Sequence, residues 1–349
     1  MDANPAKPVS KIIDRTLPEI YPLCARISRL DVLDFCWMLK SAGVDIVEIS
    51  SEILARIGRL PGGLEFVVRV RKPEDIDLCI KNHVKRIVLG KSALTDEAAG
   101  RIAAGGLEAA LELRVNAIER IYLLERLTGY RQFDVVRCIR LLGLDAVSSD
   151  EWLAAARTVR GITGKTLDIC TGNRFFTAAS TALEGMTGGM DFVTVSFNGL
   201  GCFAPLEELL AALMVHFGGK LKADMSVLPK LGSFITARTK CRISPYKPVI
   251  GESIFVYESG IHAAAMGKNP AAYEPFEPSA VGRKRELAVG KHSGRHSVKE
   301  KMSELGLEVS QAELSVLLGH IRDTSIRNGR SLNNEELLEI YRESGINKH

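Results

Sequence analysis

KIIDRTLPEIYPLCARISRLDVLDFCWMLKSAGVDIVEI, residues 11–49, is the stretch that decides the fold class. Lys11 to Asp14 reads as a short apolar strand. Ser28 and Asp31 then have the spacing of a capping box, in which hydroxyl and carboxylate each accept from the other residue's backbone amide. Val32, Phe35, Cys36, Leu39 and Ala42 recur at helical spacing, Gly43 supplies the stop, and Val44 to Ile49 reads as a buried strand. Trp37, with Phe35 and Leu39, is read as part of an apolar core stripe. Strand, helix and strand in so short a run is the unit of a parallel sheet.

The same alternation runs outward along the chain. Strands are expected near Glu65 to Val70, Arg86 to Leu89, Glu112 to Val115, Leu144 to Val147, Thr166 to Cys170 and Phe192 to Phe197, with helical patterns between them. Seven or eight such units make an α/β protein, and closing the sheet into a (β/α)8 TIM barrel removes its edges. A doubly wound open sheet satisfies the pattern too. After Pro245 the texture changes, because Pro248, Pro270, Pro275 and Pro278 punctuate a segment that no regular helix or central strand would accept. Three helices follow, at Ser297 to Leu305, Ser310 to Asn328 and Asn333 to Ser344, the second opened by a Ser310/Glu313 capping box. The expected division is a barrel over 1–245, an extended arm and cap linker over 246–296, and a small helical cap subdomain over 297–349.

At 349 residues the chain exceeds the ~250 residues of a typical single barrel. Its 46 basic and 42 acidic residues nearly cancel and form no dense basic block, which removes the electrostatic case for nucleic acid. No apolar run is long enough for a spanning helix, and Met1 to Lys11 lacks the apolar region of a signal peptide, so no membrane association and a cytoplasmic location are expected. Seven cysteines, scattered and without CxxC spacing, suit neither a disulfide framework nor a zinc knuckle.

Residues 247–298 read KPVIGESIFVYESGIHAAAMGKNPAAYEPFEPSAVGRKRELAVGKHSGRHSV. Nearly residue for residue, this resembles the arm and cap of the homocitrate synthase and isopropylmalate synthase family, with its HESGIH, YEPF and GKHSGR runs. The barrel is similar more weakly. Where the family has D-T-T-L-R-D-G, with an Arg that polarises the reacting carbonyl and an Asp that binds a divalent metal, this chain has Asp14, Arg15, Thr16, Leu17, Pro18, Glu19 and Ile20. Pro18 stands at the Arg position, and Glu19 is left as a remnant ligand. Where the family has H-x-H-N-D, Cys170 and Gly172 stand at the two His positions, and the turn after Gly201 is three residues shorter and lacks the family's Gly-Asn pair. The resemblance thus implies a degenerate barrel with no metal or cofactor bound by this chain itself.

What it implies for function is a division of labour. In this family the arm and cap of one protomer reach over the barrel mouth of its partner, and some nitrogen-fixing bacteria split homocitrate synthase into alpha and omega subunits. This chain is similar to the omega type. Its expected partner is a catalytic alpha-type subunit holding Mg2+ or Mn2+, with a homodimer as the other assembly. The implied chemistry is Claisen condensation of acetyl-CoA with 2-oxoglutarate. By motif, His262 is the candidate acid/base group, with Glu258 and Tyr273 beside it. Two alternatives stay open: an autonomous enzyme with another 2-oxo acid and relocated metal ligands, or a noncatalytic regulatory paralogue. Lys291 to His296 could contact CoA phosphates, but a packing turn is favoured. Glu48 and Arg69 fit either substrate contacts or a mutual ion pair.

Overall fold

The computed structural model describes residues 10–24, 27–115, 123–145, 149–218, 223–259, 262, 265–266 and 268–344. Two compact units divide the chain, Met1–Ile250 and Gly251–His349. In the first unit eight parallel strands close into a barrel in chain order: β1 Lys11–Asp14, β2 Ile46–Ser50, β3 Glu65–Val70, β4 Arg86–Gly90, β5 Glu108–Val115, β6 Val136–Gly143, β7 Thr166–Thr171 and β8 Phe192–Val195. β1 pairs with both β2 and β8, so the open-sheet alternative is ruled out.

The helix Arg29–Ser41 begins at the Ser28/Asp31 capping box, with Asp31 N donating to Ser28 Oγ and Ser28 N to Asp31 Oδ2. Phe35 and Leu39 are fully buried in it, whereas Trp37 is 46% exposed and is not core. Two residues on from Phe35, Trp37 lies about half a turn round the helix, which turns it outward.

A second expectation fails at the sixth strand. The strand runs over Val136–Gly143, not Leu144 to Val147; Gly143 and Leu144 both have positive φ, of 114° and 66°, and end it. Only glycine fits at 143, because a Cβ there would come 2.5 Å from the Val115 carbonyl oxygen. Ala146 and Val147 lie outside the described residues.

Period-2 alternation stacks the barrel interior in layers. Ile13, Ile46, Val67 and Val88, with Ala110 and Phe192, make an apolar layer. Two residues further along the same strands come Glu48, Arg69, Glu112 and Thr194, so the next layer toward the C-terminal mouth is charged.

In the second unit Val256–Tyr257 pairs in parallel with Glu286–Leu287. The helices Arg295–Glu304, Gln311–Asn328 and Asn334–Glu343 pack around Val289, Val298, Leu314, Leu317, Ile321 and Leu337. The Ser310/Glu313 capping box opens the longest of them. Among the described residues no helix is long and apolar enough to cross a membrane.

Candidate functional site

The charged layer is one connected network. Arg69 donates from Nε to Glu48 at 2.8 Å and forks onto Glu112 at 2.9 and 2.7 Å. Arg140, fully buried, donates to Glu48 and to Asp168 at 2.5 Å each, and Thr194 Oγ1 donates to both oxygens of Asp168. Burial alone would raise the Glu48 carboxyl, but Arg140, Arg69 and Arg15 outweigh it and hold the group well below the usual carboxylate range. Of the two readings open for Glu48 and Arg69, their geometry is that of an ion pair.

Above this layer, at the mouth, sits Arg15. It follows β1 directly, its backbone N–H donating to the Val195 carbonyl at 2.9 Å, and only 6% of it is exposed. Nη2 donates to Glu19 Oε1 at 2.8 Å, and Nη1 donates to Cys170 Sγ at 3.3 Å and lies 3.7 Å from Glu112 Oε2. The guanidinium lies 3.9 Å over the Phe203 ring. Cys170 therefore faces a cation as a buried thiol; burial, countered in part by Arg15, pushes it up to about 11.

Two glycines shape the rest of the mouth. A Cβ on Gly172 would stand 2.9 Å from Asp145 Cγ, and Asp145 is in turn held by Arg174 Nε at 2.6 Å. A Cβ on Gly201 would come 2.7 Å from Glu19 Oε2, so the short loop after β8 closes directly onto that carboxylate. A divalent ion does not fit this set. Glu19 and Cys170 both face a guanidinium, Gly172 offers no donor, and a hard cation wants several oxygens. Among the described residues no group of three or more His, Cys, Asp and Glu side chains could hold a metal.

Two further buried carboxyls flank the mouth. Asp14 accepts from Thr16 N and Thr16 Oγ1 at 2.9 Å each, yet burial pushes it up to about 7. Glu207 accepts from Asn198 N at 2.8 Å and pairs with Lys247 at 3.3 Å; there too burial prevails and raises it to about 7.

In the second unit, Tyr257 and His262 stack with ring centroids 5.6 Å apart, and Tyr273 meets His262 at 4.8 Å. His262 and Tyr273 are thus brought together. The Glu258 carboxylate is otherwise engaged: Oε1 accepts from His292 N at 2.6 Å and Oε2 from Ser331 Oγ at 3.0 Å. Lys291 N donates to Ser325 Oγ and Arg322 to the Ser293 carbonyl, which gives 291–296 the bonding of a packing turn. Arg15 is the mouth residue that the motif comparison does not mark. Its signal was a charge beside Asp14, where the family carries an uncharged Thr.

Residues 249–328 match the domain family described as "Homocitrate synthase post-HMGL domain-like". The chain is 29% identical to the homocitrate synthase omega subunit of Clostridium pasteurianum, over 95% of each chain. The chain resembles the homocitrate and isopropylmalate synthase family. Homocitrate synthase 1 of Nostoc is 38% identical over 51% of this chain, and there the match spans about half of the relative, 48%. The barrel superposes on hydroxymethylglutaryl-CoA lyase from Pseudomonas aeruginosa with a TM-score of 0.54 at 14% identity, covering 66% of this chain and 93% of that one. That likeness concerns the fold alone.

Proposed function

We propose that this chain is a subunit of a split, homocitrate synthase-like acyltransferase, completing the active site of an alpha-type partner with its cap. The observation that carries the proposal is a contrast between two parts of one chain. The cap keeps the family's ESGIH run, with His262 against the Tyr257 and Tyr273 rings. The barrel has an arginine turned onto Glu19 and Cys170, at positions where the family keeps metal ligands. Likeness to an omega subunit over nearly the whole length supports the same reading.

The reaction is condensation of acetyl-CoA with 2-oxoglutarate. A base takes a proton from the acetyl methyl, the enolate forms a carbon–carbon bond to the ketone, and water cleaves the thioester to release CoA. In the family a divalent metal holds the oxo acid and polarises its ketone; here that ion belongs on the partner. His262 supplies the acid/base group at the shared mouth and Tyr273 a hydroxyl beside it. Glu258 braces the turn at 291–296 by accepting from the His292 amide.

The test is reconstitution. The purified chain alone is expected to release no CoA from acetyl-CoA and 2-oxoglutarate with Mg2+ or Mn2+, and to restore or raise turnover when added to an alpha-type subunit from the same genome. Full activity of the lone chain would mean an autonomous enzyme. A change in the partner's rate that survives His262→Ala would mean a regulator.

A further inference from the structure

We infer that the Arg15 guanidinium is the resident cation of this barrel mouth, bonded in the place of a divalent metal by the same side chains that would otherwise be free to ligate one. The inference concerns the first unit alone and stands whether or not the subunit reading does.

The geometry assigns it in three ways. First, Arg15 collects the acceptors at the mouth: Glu19 at 2.8 Å, Cys170 Sγ at 3.3 Å and Glu112 at 3.7 Å converge on its two terminal nitrogens. Second, the surroundings are built for a flat cation rather than a spherical one. The Phe203 ring lies 3.9 Å beneath the guanidinium, and planar stacking with forked donation is what separates Arg from a point charge. Phe203 is held there by its antiparallel bridge to Gly172. Third, the charge balance needs it. Without Arg15, the buried and half-buried carboxylates Glu19, Glu48, Glu112 and Asp168 face only Arg69 and Arg140 among the described residues. Four negative groups against two positive ones, at this depth, would be strongly unfavourable, and a third fixed cation halves that excess.

A covalently attached cation differs from a bound one in a way that can be measured, because no chelator removes it and no added metal should find its ligands free. The full chain, dialysed against a chelator, is titrated with MnCl2, MgCl2 and ZnCl2 by calorimetry, and its thermal unfolding midpoint is taken with and without each ion. No binding in the millimolar range and an unchanged midpoint are expected. Arg15→Met keeps the length of the side chain and removes its charge. This variant should unfold at a lower temperature and should bind Zn2+ at least about tenfold more tightly than the natural chain, since the Cys170 thiol and the Glu19 carboxylate are released to a borderline-soft ion, while Glu112 stays with Arg69. Stoichiometric metal in the natural chain, with a raised midpoint, would overturn the inference. So would an Arg15→Met protein of unchanged stability that ignores zinc. If Arg15→Met does not fold, the titration of the natural chain decides alone.

Discussion

Arg140 Nε donates to Asp168 Oδ2 at 2.5 Å, an ion pair whose two side chains are each 1% exposed. Charges this deep are tolerated because each has opposite charge beside it, and Arg140 also turns Nη1 toward Glu48 and Glu112. The consequence is asymmetric. The network adds little over a well-packed apolar layer, but losing one member strands its partners.

Arg140→Leu is therefore expected to cost about 3–5 kcal/mol, because Glu48 and Asp168 are left buried and uncompensated. Urea denaturation of the full chain measures it. Arg86→Ala is the control, since Arg86 pairs with the exposed Glu108 at 2.9 Å and such pairs contribute about 1 kcal/mol or less. Equal losses for the two variants would show that the buried layer is not coupled as described.

The pH profile has a sign fixed by Asp14 and Glu207. Both carboxyls titrate near 7 in the fold against ordinary values of 3.8 and 4.5, so between about pH 4 and 7 the folded chain holds protons that the unfolded chain has lost. Stability from these two groups thus falls as pH rises through that window and then levels off. Glu48, held low, works in the opposite direction, its contribution vanishing only in acid. Denaturation midpoints of Asp14→Asn/Glu207→Gln at pH 5, 6, 7 and 8 should decline less steeply than those of the natural chain. A parallel decline would place the titration elsewhere.

Most of the barrel was legible because apolar strands and capping residues are local signals. β1 and β3 fall where their sequences place them, and both Ser-led capping boxes form. β6 was not legible, since Arg137 and Arg140 interrupt its apolar run, and a buried arginine is intelligible only beside Glu48 and Asp168 from other strands. Arg15 was missed for the same reason. Its partners are four residues away in Glu19 but 97 and 155 away in Glu112 and Cys170, and only strand closure brings those together. In the second unit, the ESGIH and YEPF runs mark His262 and Tyr273 as candidates, whereas the engagement of Glu258 with His292 and Ser331 depends on tertiary contacts.

Glu258 and His262 should separate in a paired experiment. Glu258→Ala deprives the His292 amide and the Ser331 hydroxyl of their acceptor at a site partly open to water, so a loss of about 0.5–1.5 kcal/mol in stability is expected. His262→Ala should leave the unfolding midpoint nearly unchanged and lower turnover of the reconstituted complex by about 10²- to 10⁴-fold. If the losses were exchanged, with His262 structural and Glu258 dominating kcat at unchanged stability, the roles assigned to them would be reversed.

Gly172 gives the last test, because it marks where a second ligand is closed off. Adding a Cβ brings it 2.9 Å from Asp145 Cγ, and the backbone is tied down, since Gly172 N donates to the Gly143 carbonyl at 2.7 Å and the residue bridges to Phe203. Asp145 must swing away and release Arg174. Gly172→Ala is expected to cost about 1–3 kcal/mol as overpacking. Rebuilding the family's pair as Cys170→His/Gly172→His should accordingly yield a folded but metal-free protein, for Arg15 still holds Glu19. Adding Arg15→Met to that pair should be what admits Mn2+, read as signal broadening in electron paramagnetic resonance together with a raised unfolding midpoint. Manganese in the double variant alone would mean that the guanidinium does not exclude the ion, and the barrel's incompetence would then rest on the two missing histidines.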